Sequence, residues 1–269
     1  MLSQWFPDEF TLGIAQAAVA AAFLLLFSFF LLRIKINLFK EILIAMLRSL
    51  VQIVAVGSVL ILVLNGPIVL GGLVLLGMMA SAAITAARRV KNIPGAQRAV
   101  FFSIVLGSGS IVALMTFVGV IEWKLESIIP VGSMMINGGM IACALGLERF
   151  RAEVQAHTDQ IETRLALGAQ PKIATDEYVR AAFQASMIPR IDSMRSLGIV
   201  WIPGLMAGMI LAGSSPLYAG IYQFVVIAML LVSSGVSALI SVVLVQKRIF
   251  SKADQLLLKS TDDVIVRSR

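Results

Sequence analysis

The stretch ETRLALGAQPKIA, Glu162 to Ala174, decides how this chain is read. It holds a charged helix end, a Gly-Ala-Gln-Pro turn and the start of a second polar helix. Around it lies a sequence built largely of Leu, Ile, Val, Ala, Gly and Met. Of the 269 residues, 59% are hydrophobic and 14% charged, against about 25% charged in soluble domains. With a mean hydropathy of +0.94, the chain has more apolar surface than a globular core buries, so the surplus faces lipid. The fold expected is an all-α membrane protein of about seven transmembrane helices. It forms a single domain over 1–269, interrupted between spans five and six by a polar helical segment, 148–196.

A helix that crosses hydrocarbon needs about 20 mainly apolar residues. The candidate stretches are 11–32, 42–64, 68–87, 99–121, 130–147, 197–213 and 218–246; the fifth and sixth are short and Gly-rich, and the sixth contains Pro203. Basic residues gather in alternate connections: Arg33, Lys35 and Lys40; then Arg88, Arg89, Lys91 and Arg98; then Lys247, Arg248 and Lys252. The other connections hold Lys124 beside Glu122 and Glu126, and the N-terminus is acidic at Asp8 and Glu9. Lys and Arg mark the cytoplasmic side. The N-terminus is therefore expected outside, with 148–196 and the tail 251–269 inside. The net charge of +7 is spread over short connections rather than one continuous face, which argues against a nucleic-acid partner. The acidic start has neither a basic region nor a small-residue cleavage site, so the first span is expected to be retained. Cys143, the single cysteine, reads as a small buried hydrophobe.

Within the polar segment, Phe150, Val154, His157, Ile161 and Leu165 recur at three- and four-residue steps and form one helical stripe. Arg149 and Glu153 are placed to pair at i,i+4. Gly168 offers a helix stop and Pro171 suits the first turn of the next helix. That helix runs through Asp176 and Glu177 to about Ile188, where Pro189 interrupts it; Asp192 and Arg195 follow. Periodicity alone allows two readings, a solvated linker or a rigid element that docks into a soluble partner. His157 reads as a packed residue, since one histidine and one distant cysteine make no zinc site.

The spacing Glu162, five residues, Gly168-Ala169, one residue, Pro171 resembles the EAA coupling motif of ABC importer permeases. More broadly, LGAQPKIATDEYVRAAFQASMIPRIDSMRSLGIVWIPGLMAGMILAG (Leu167–Gly213) resembles the FetB-type ABC transporter permease family. So do RSLVQIV (Arg48–Val54) and VGSMMINGGM (Val131–Met140), and the likeness covers nearly the whole chain. The resemblance implies a homodimeric permease of the bacterial inner membrane, driven by a separate ABC ATPase subunit that carries ATP-Mg. No cofactor and no catalytic residue are implied for this chain. Independently, the chain has no G-x-x-x-x-G-K-[ST] sequence and no Gly-Lys pair, so it lacks the loop that cradles ATP phosphates. Coupling to the ATPase would fall to Glu162, Gly168, Ala169, Pro171, Pro189, Asp192 and Arg195. Enterobacterial members of the family are associated with iron export and resistance to oxidative stress, plant relatives with aluminium tolerance and a nucleotide-sugar cargo. Pro189 lies farther from Gly168 than the second proline of importers does, so the motif leaves transport direction open.

Polar and soft groups inside spans are the candidate pathway, because burying them in lipid is costly. Arg48 and Gln52 share a face of span two, with Arg48 placed either to snorkel or to pair with Asp192. Span five offers Ser133, Met134, Met135, Asn137 and Met140; span six offers Pro203, Gly204, Met206 and Met209. Thioethers favour Cu(I) over Fe(II), and each methionine alone also reads as a gap-filler, so the metal ligands, if any, stay unassigned. The leading expectation is export of a metal ion, iron; the alternatives are another solute such as a nucleotide sugar or a metal chelate, and a seven-helix receptor. A membrane-embedded enzyme would need a catalytic constellation that the sequence does not display.

Overall fold

The computed structural model describes residues 8–90, 93, 95–251 and 253–258, the side chains of Glu9 and Phe10 excepted. Lys91, Lys252 and the tail beyond 258 lie outside these residues. Contacts divide the chain into two compact units, Met1–Gly66 and Pro67–Arg269.

The first unit is a pair of apolar helices, α1 (Glu9–Arg33) and α2 (Phe39–Leu64), joined through Lys35 in the left-handed region at φ 64°. Both are long enough to cross a bilayer and almost entirely exposed, as lipid-facing helices are. Arg48 and Gln52 lie on the exposed surface of α2, Gln52 in a groove it shares with Ala17, Ala21 and Leu24 of α1.

The second unit begins with α3 (Ile68–Ala87), which ends in a 3-10 turn at Arg88–Val90. Next come α4 (Ala96–Phe117), with a π-helical turn at Val105–Gly109, and α5 (Leu125–Ala156). The polar segment forms α6 (Thr158–Ala166) and α7 (Pro171–Ser196), followed by α8 (Gly204–Leu211) and α9 (Pro216–Gln246). Ser215 caps α9 by accepting the amide of Tyr218 at 3.3 Å, and Pro216 opens its first turn, where a proline's missing N–H is not needed.

α5 and α9 form the centre, with α3, α4 and α7 packed on them. Met135, Cys143, Leu147 and Phe150 of α5 and Val226 and Val242 of α9 are completely buried. Gly138 and Gly139 let the helices approach, since a Cβ there would strike Leu230, Ser108 or Ser237. This is the small-residue packing that membrane helices use in place of a hydrophobic drive. At the same level Ser108 donates to the carbonyl of Met135 at 3.0 Å, and Ser233 donates to Ser108 at 3.0 Å. These two hydroxyls are satisfied at the π turn.

One end of the unit is basic. Arg89 pairs with Glu148 at 3.2 Å and Arg151 reaches the Arg89 carbonyl. Gly138, beside Leu230, stands about 15 Å along α5 from Glu148 and about 20 Å from Leu125. Leu230 therefore marks the middle of the apolar thickness.

Six helices are long and apolar enough to span: Thr11–Arg33, Phe39–Leu64, Ile68–Val90, Ala96–Phe117, Leu125–Ala156 and Pro216–Gln246. The expected sixth span, 197–213, is instead a turn at Leu197–Trp201 followed by the eight-residue α8. Eight residues rise about 12 Å, short of the roughly 30 Å hydrocarbon core. The physical reason is Pro203, which supplies no amide to a continuing helix and stands as the extended residue before α8. The helix expected to stop near Ile188 continues through Pro189 to Ser196. Its second half runs back along α9, so that Arg190, Ser193 and Trp201 lie against Ile227, Leu230 and Leu231. The segment 148–196 thus divides: its first part forms the polar hairpin, and its last turns pack along α9 ahead of the short α8.

Candidate functional site

The stripe expected from periodicity is present, with Phe150, Val154 and Ile161 completely buried. It is bent, however, because α5 stops at Ala156 and α6 restarts at Thr158, with His157 between them at φ −119°. The His157 ring stacks on Tyr178 of α7 at 5.1 Å and its Nδ1 meets the Glu153 carbonyl at 2.9 Å. His157 is a packed residue, and it fixes the angle at which the hairpin leaves the bundle.

The elbow between α6 and α7 follows from two residues. Gly168 adopts φ +89°, a conformation that a side chain disfavours. Its amide reaches the Leu165 carbonyl at 2.9 Å while that of Ala169 reaches Arg164 at 3.0 Å, the paired bonds of a Schellman stop. Gln170 is extended and Pro171 begins α7. Arg164 then ties the arms together, donating to Glu177 Oε1 at 2.6 Å and to the Ala174 carbonyl at 3.2 Å. The bond from Arg164, then one from Tyr178, holds the Glu177 carboxyl below its ordinary range. Burial, then the Glu177 partner, raises the Tyr178 hydroxyl. Gln246, at the end of α9, donates to the Lys172 carbonyl at 3.2 Å and to Thr175 Oγ1 at 3.0 Å. The elbow is fastened to the bundle as well as to itself.

Glu162, Leu165, Gly168, Ala169, Gln170 and Pro171 line an open cleft of about 700 Å³, closed on the other side by Ala253–Leu256. Glu162 and Asp254 make it acidic, and the exposed side chains of Leu167 and Ile173 (84% and 64%) flank the turn. Chemically the arrangement can receive a short element carrying basic and apolar groups.

Four of the expected coupling residues, Glu162, Gly168, Ala169 and Pro171, therefore converge. Pro189, Asp192 and Arg195 do not join them; Pro189 is about 27 Å along α7 from Pro171, and Asp192 and Arg195 pair with each other at 3.4 Å on an exposed face. Of the expected pathway residues, Asn137 is exposed, with half-buried Ser133, Met134 and Met140 along the same face of α5, whereas Met135 is buried and its carbonyl serves Ser108. Pro203 is buried, Gly204 exposed, and Met206 and Met209 half-buried, Met206 lying against Gly220. Sequence reasoning missed the Arg164–Glu177 clamp, the Gln246 anchor, Arg190 and the serine cluster. A glutamine at the end of an otherwise apolar span was the one legible signal among them.

The family model described as "Uncharacterised protein family (UPF0014)" matches residues 14–250. The chain is 33% identical over 223 residues to the "Probable iron export permease protein FetB" of Escherichia coli (strain K12), covering 82% of this chain and 86% of that protein. It is 31% identical over 252 residues to the "UPF0014 membrane protein STAR2" of Oryza sativa subsp. japonica, covering 93% and 88%. It is 30% identical over 251 residues to the "Protein ALUMINUM SENSITIVE 3" of Arabidopsis thaliana, covering 92% and 91%. No solved structure matches the chain. The match over residues 14–250 places the chain in the UPF0014 family, and its spanning helices make it an integral membrane protein.

Proposed function

We propose that this chain is the membrane subunit of an ATP-driven ABC transporter, working as a homodimer in the inner membrane and exporting iron from the cytoplasm. ATP-Mg sits on a separate ATPase subunit, and this chain contributes neither a cofactor site nor catalysis. The observation that carries the reading is the course of α7. This one helix of 26 residues starts in the acidic cleft and ends against the apolar middle of α9, where with α8 it would form a discontinuous sixth crossing. Coupling needs an element that both sites bias. A helix clamped at the cleft by Arg164–Glu177 and Gln246, and bounded at its far end by a turn, transmits displacement between them. The iron cargo follows the E. coli relative, named as a probable iron export permease.

On this reading the basic end, the hairpin and the C-terminus face the cytoplasm, and the N-terminus faces outward. The test of the function is reconstitution with an ABC ATPase from the same organism. ATP hydrolysis should rise with ferrous iron, and cells lacking the chain should accumulate iron and tolerate peroxide poorly. Failure of any ABC ATPase to co-purify with the chain overturns the reading. Orientation is tested separately by a single cysteine at Thr163, on the exposed face of α6, since Cys143 is buried; labelling of intact cells by an impermeant maleimide overturns it.

A second cargo reading has an observation in its favour. Among the described residues no group of three or more His, Cys, Asp or Glu side chains gathers to hold a metal ion. A chelate or another anionic solute needs no such cage.

A further inference from the structure

We infer that Arg190 is the anion-recognising residue of the transport pathway, and that the solute carried presents an anionic oxygen group, a phosphate or a carboxylate. The inference rests on reading the chain as a permease and takes up the second cargo reading, a chelate or another anionic solute, in place of the bare ion.

Arg190 lies against Ile227, Leu230 and Leu231 of α9. Leu230 also touches Gly138, about 15 Å from the basic end of α5 and about 20 Å from its other end. Arg190 itself is half-buried, on the stretch of α7 that packs along this apolar part of α9. Ionisable groups placed there either pair or line a water-filled path. Among the described residues Arg190 has no hydrogen bond and no ion pair. The carboxylate nearest in sequence, Asp192, is held by Arg195 at 3.4 Å, and α9 carries no acidic residue at all.

Arg190 borders a cavity of about 40 Å³, lined further by Ser193 and Trp201. That is room for a few water-sized groups, matching one phosphoryl or carboxylate head rather than a whole solute. Ser193 donates its hydroxyl to the Pro189 carbonyl at 2.7 Å, and the Trp201 indole lies 3.5 Å from the Ser193 carbonyl. Both neighbours are thus held in place, while the guanidinium of Arg190, without a partner among the described residues, has the forked geometry that matches phosphate and carboxylate. The cavity sits where α7 ends and the turn to α8 begins. A movement of α7 would open or close it.

The purified chain in lipid nanodiscs tests this directly, without the ATPase, so its outcome is independent of whether the elbow couples. Trp201 fluorescence is followed in a Trp5→Phe, Trp123→Phe background at constant ionic strength, titrating sodium pyrophosphate, sodium citrate and ferrous ammonium sulfate separately. Pyrophosphate or citrate should give a saturable change, the preferred one identifying the phosphate or carboxylate source. Arg190→Gln should weaken that binding at least tenfold, and Arg190→Lys should retain more of it than the glutamine variant. On the wild-type chain, the preferred anion should protect Arg190 from phenylglyoxal, read by mass spectrometry; this arm stands even where Arg190→Gln does not fold. Binding of ferrous ion but of neither anion, unchanged affinity in Arg190→Gln, or modification of Arg190 unaffected by the anion overturns the inference. So does restoration of Arg190→Gln folding by Asp192→Asn, which would make Arg190 a structural ion-pair partner between two copies.

Discussion

The two ends of α7 are built on opposite plans. At its start, Ala174, Thr175, Tyr178, Val179 and Ala182 are buried, Glu177 is clamped by Arg164, and Lys172 and Thr175 are held by Gln246. At its finish, Ile188, Ile191, Asp192 and Arg195 are exposed, the one ion pair is local, and the chain leaves through a turn into an eight-residue helix. On the proposed function, the clamped end is where force would enter and the exposed end is where a solute would pass. A lever needs that asymmetry, and each test below tries to abolish it.

The largest effect is expected from Gly168→Val. The φ of +89° strains any β-branched residue, at about 1–3 kcal/mol, although the added atoms would meet open space. The hairpin should therefore re-form with a different turn instead of clashing. Insertion should be normal, while hydrolysis by the reconstituted complex should lose its response to solute. Wild-type coupling in this variant would leave the elbow a mere linker.

Next in size is Gln246→Ala, which removes both bonds from α9 to α7 and leaves Thr175, itself completely buried, without that partner. The expected destabilisation is about 1–3 kcal/mol, read as a lowered melting temperature of the purified chain. Coupling should weaken too, because the fixed end would no longer be anchored. Asp192→Asn should do the reverse. Its exposed pair with Arg195 contributes about 0–1 kcal/mol, so melting should barely shift while transport changes. If Asp192→Asn melts lower than Gln246→Ala, the contrast between the two ends is wrong.

The fold was legible where periodicity and composition both spoke. Spans such as 68–87 and 218–246, the stripe Phe150–Val154–Ile161 and the stop at Gly168 followed by Pro171 all lie where the residues place them. Pro189 misled because proline usually breaks a helix; here it sits on an exposed face and α7 continues through it to Ser196. The hydropathy of 197–213 suggested a whole span because averaging over a window hides the turn that divides it. Half of the elbow could be read from sequence. Arg164 and Glu177 stand on opposite sides of a turn, and no helical spacing reveals a pair whose distance depends on the angle of that turn. The methionines were indistinguishable in sequence, and only packing separates Met135 in the core from Met134 and Met140 on the face of Asn137.

The smallest effect is a pH dependence of the clamp. Glu177 has its carboxyl held below the ordinary value of 4.5 by the bond from Arg164. A depressed carboxylate contributes stability above its unfolded value and loses it as the pH falls through the lower folded one. At neutral pH the clamp should therefore be complete, and Glu177→Gln should loosen the elbow. Amide exchange over 164–177 should then be faster in the variant than in the wild type at pH 7. Below the folded-state titration of Glu177, the wild-type carboxyl is protonated and the two proteins should exchange alike at any matched pH. Both residues are open to solvent, with side-chain exposures of 40% and 53%, so added salt should narrow the neutral-pH difference as well. A difference that persists in acid would mean that Arg164 holds α7 through the Ala174 carbonyl rather than through the charge of Glu177.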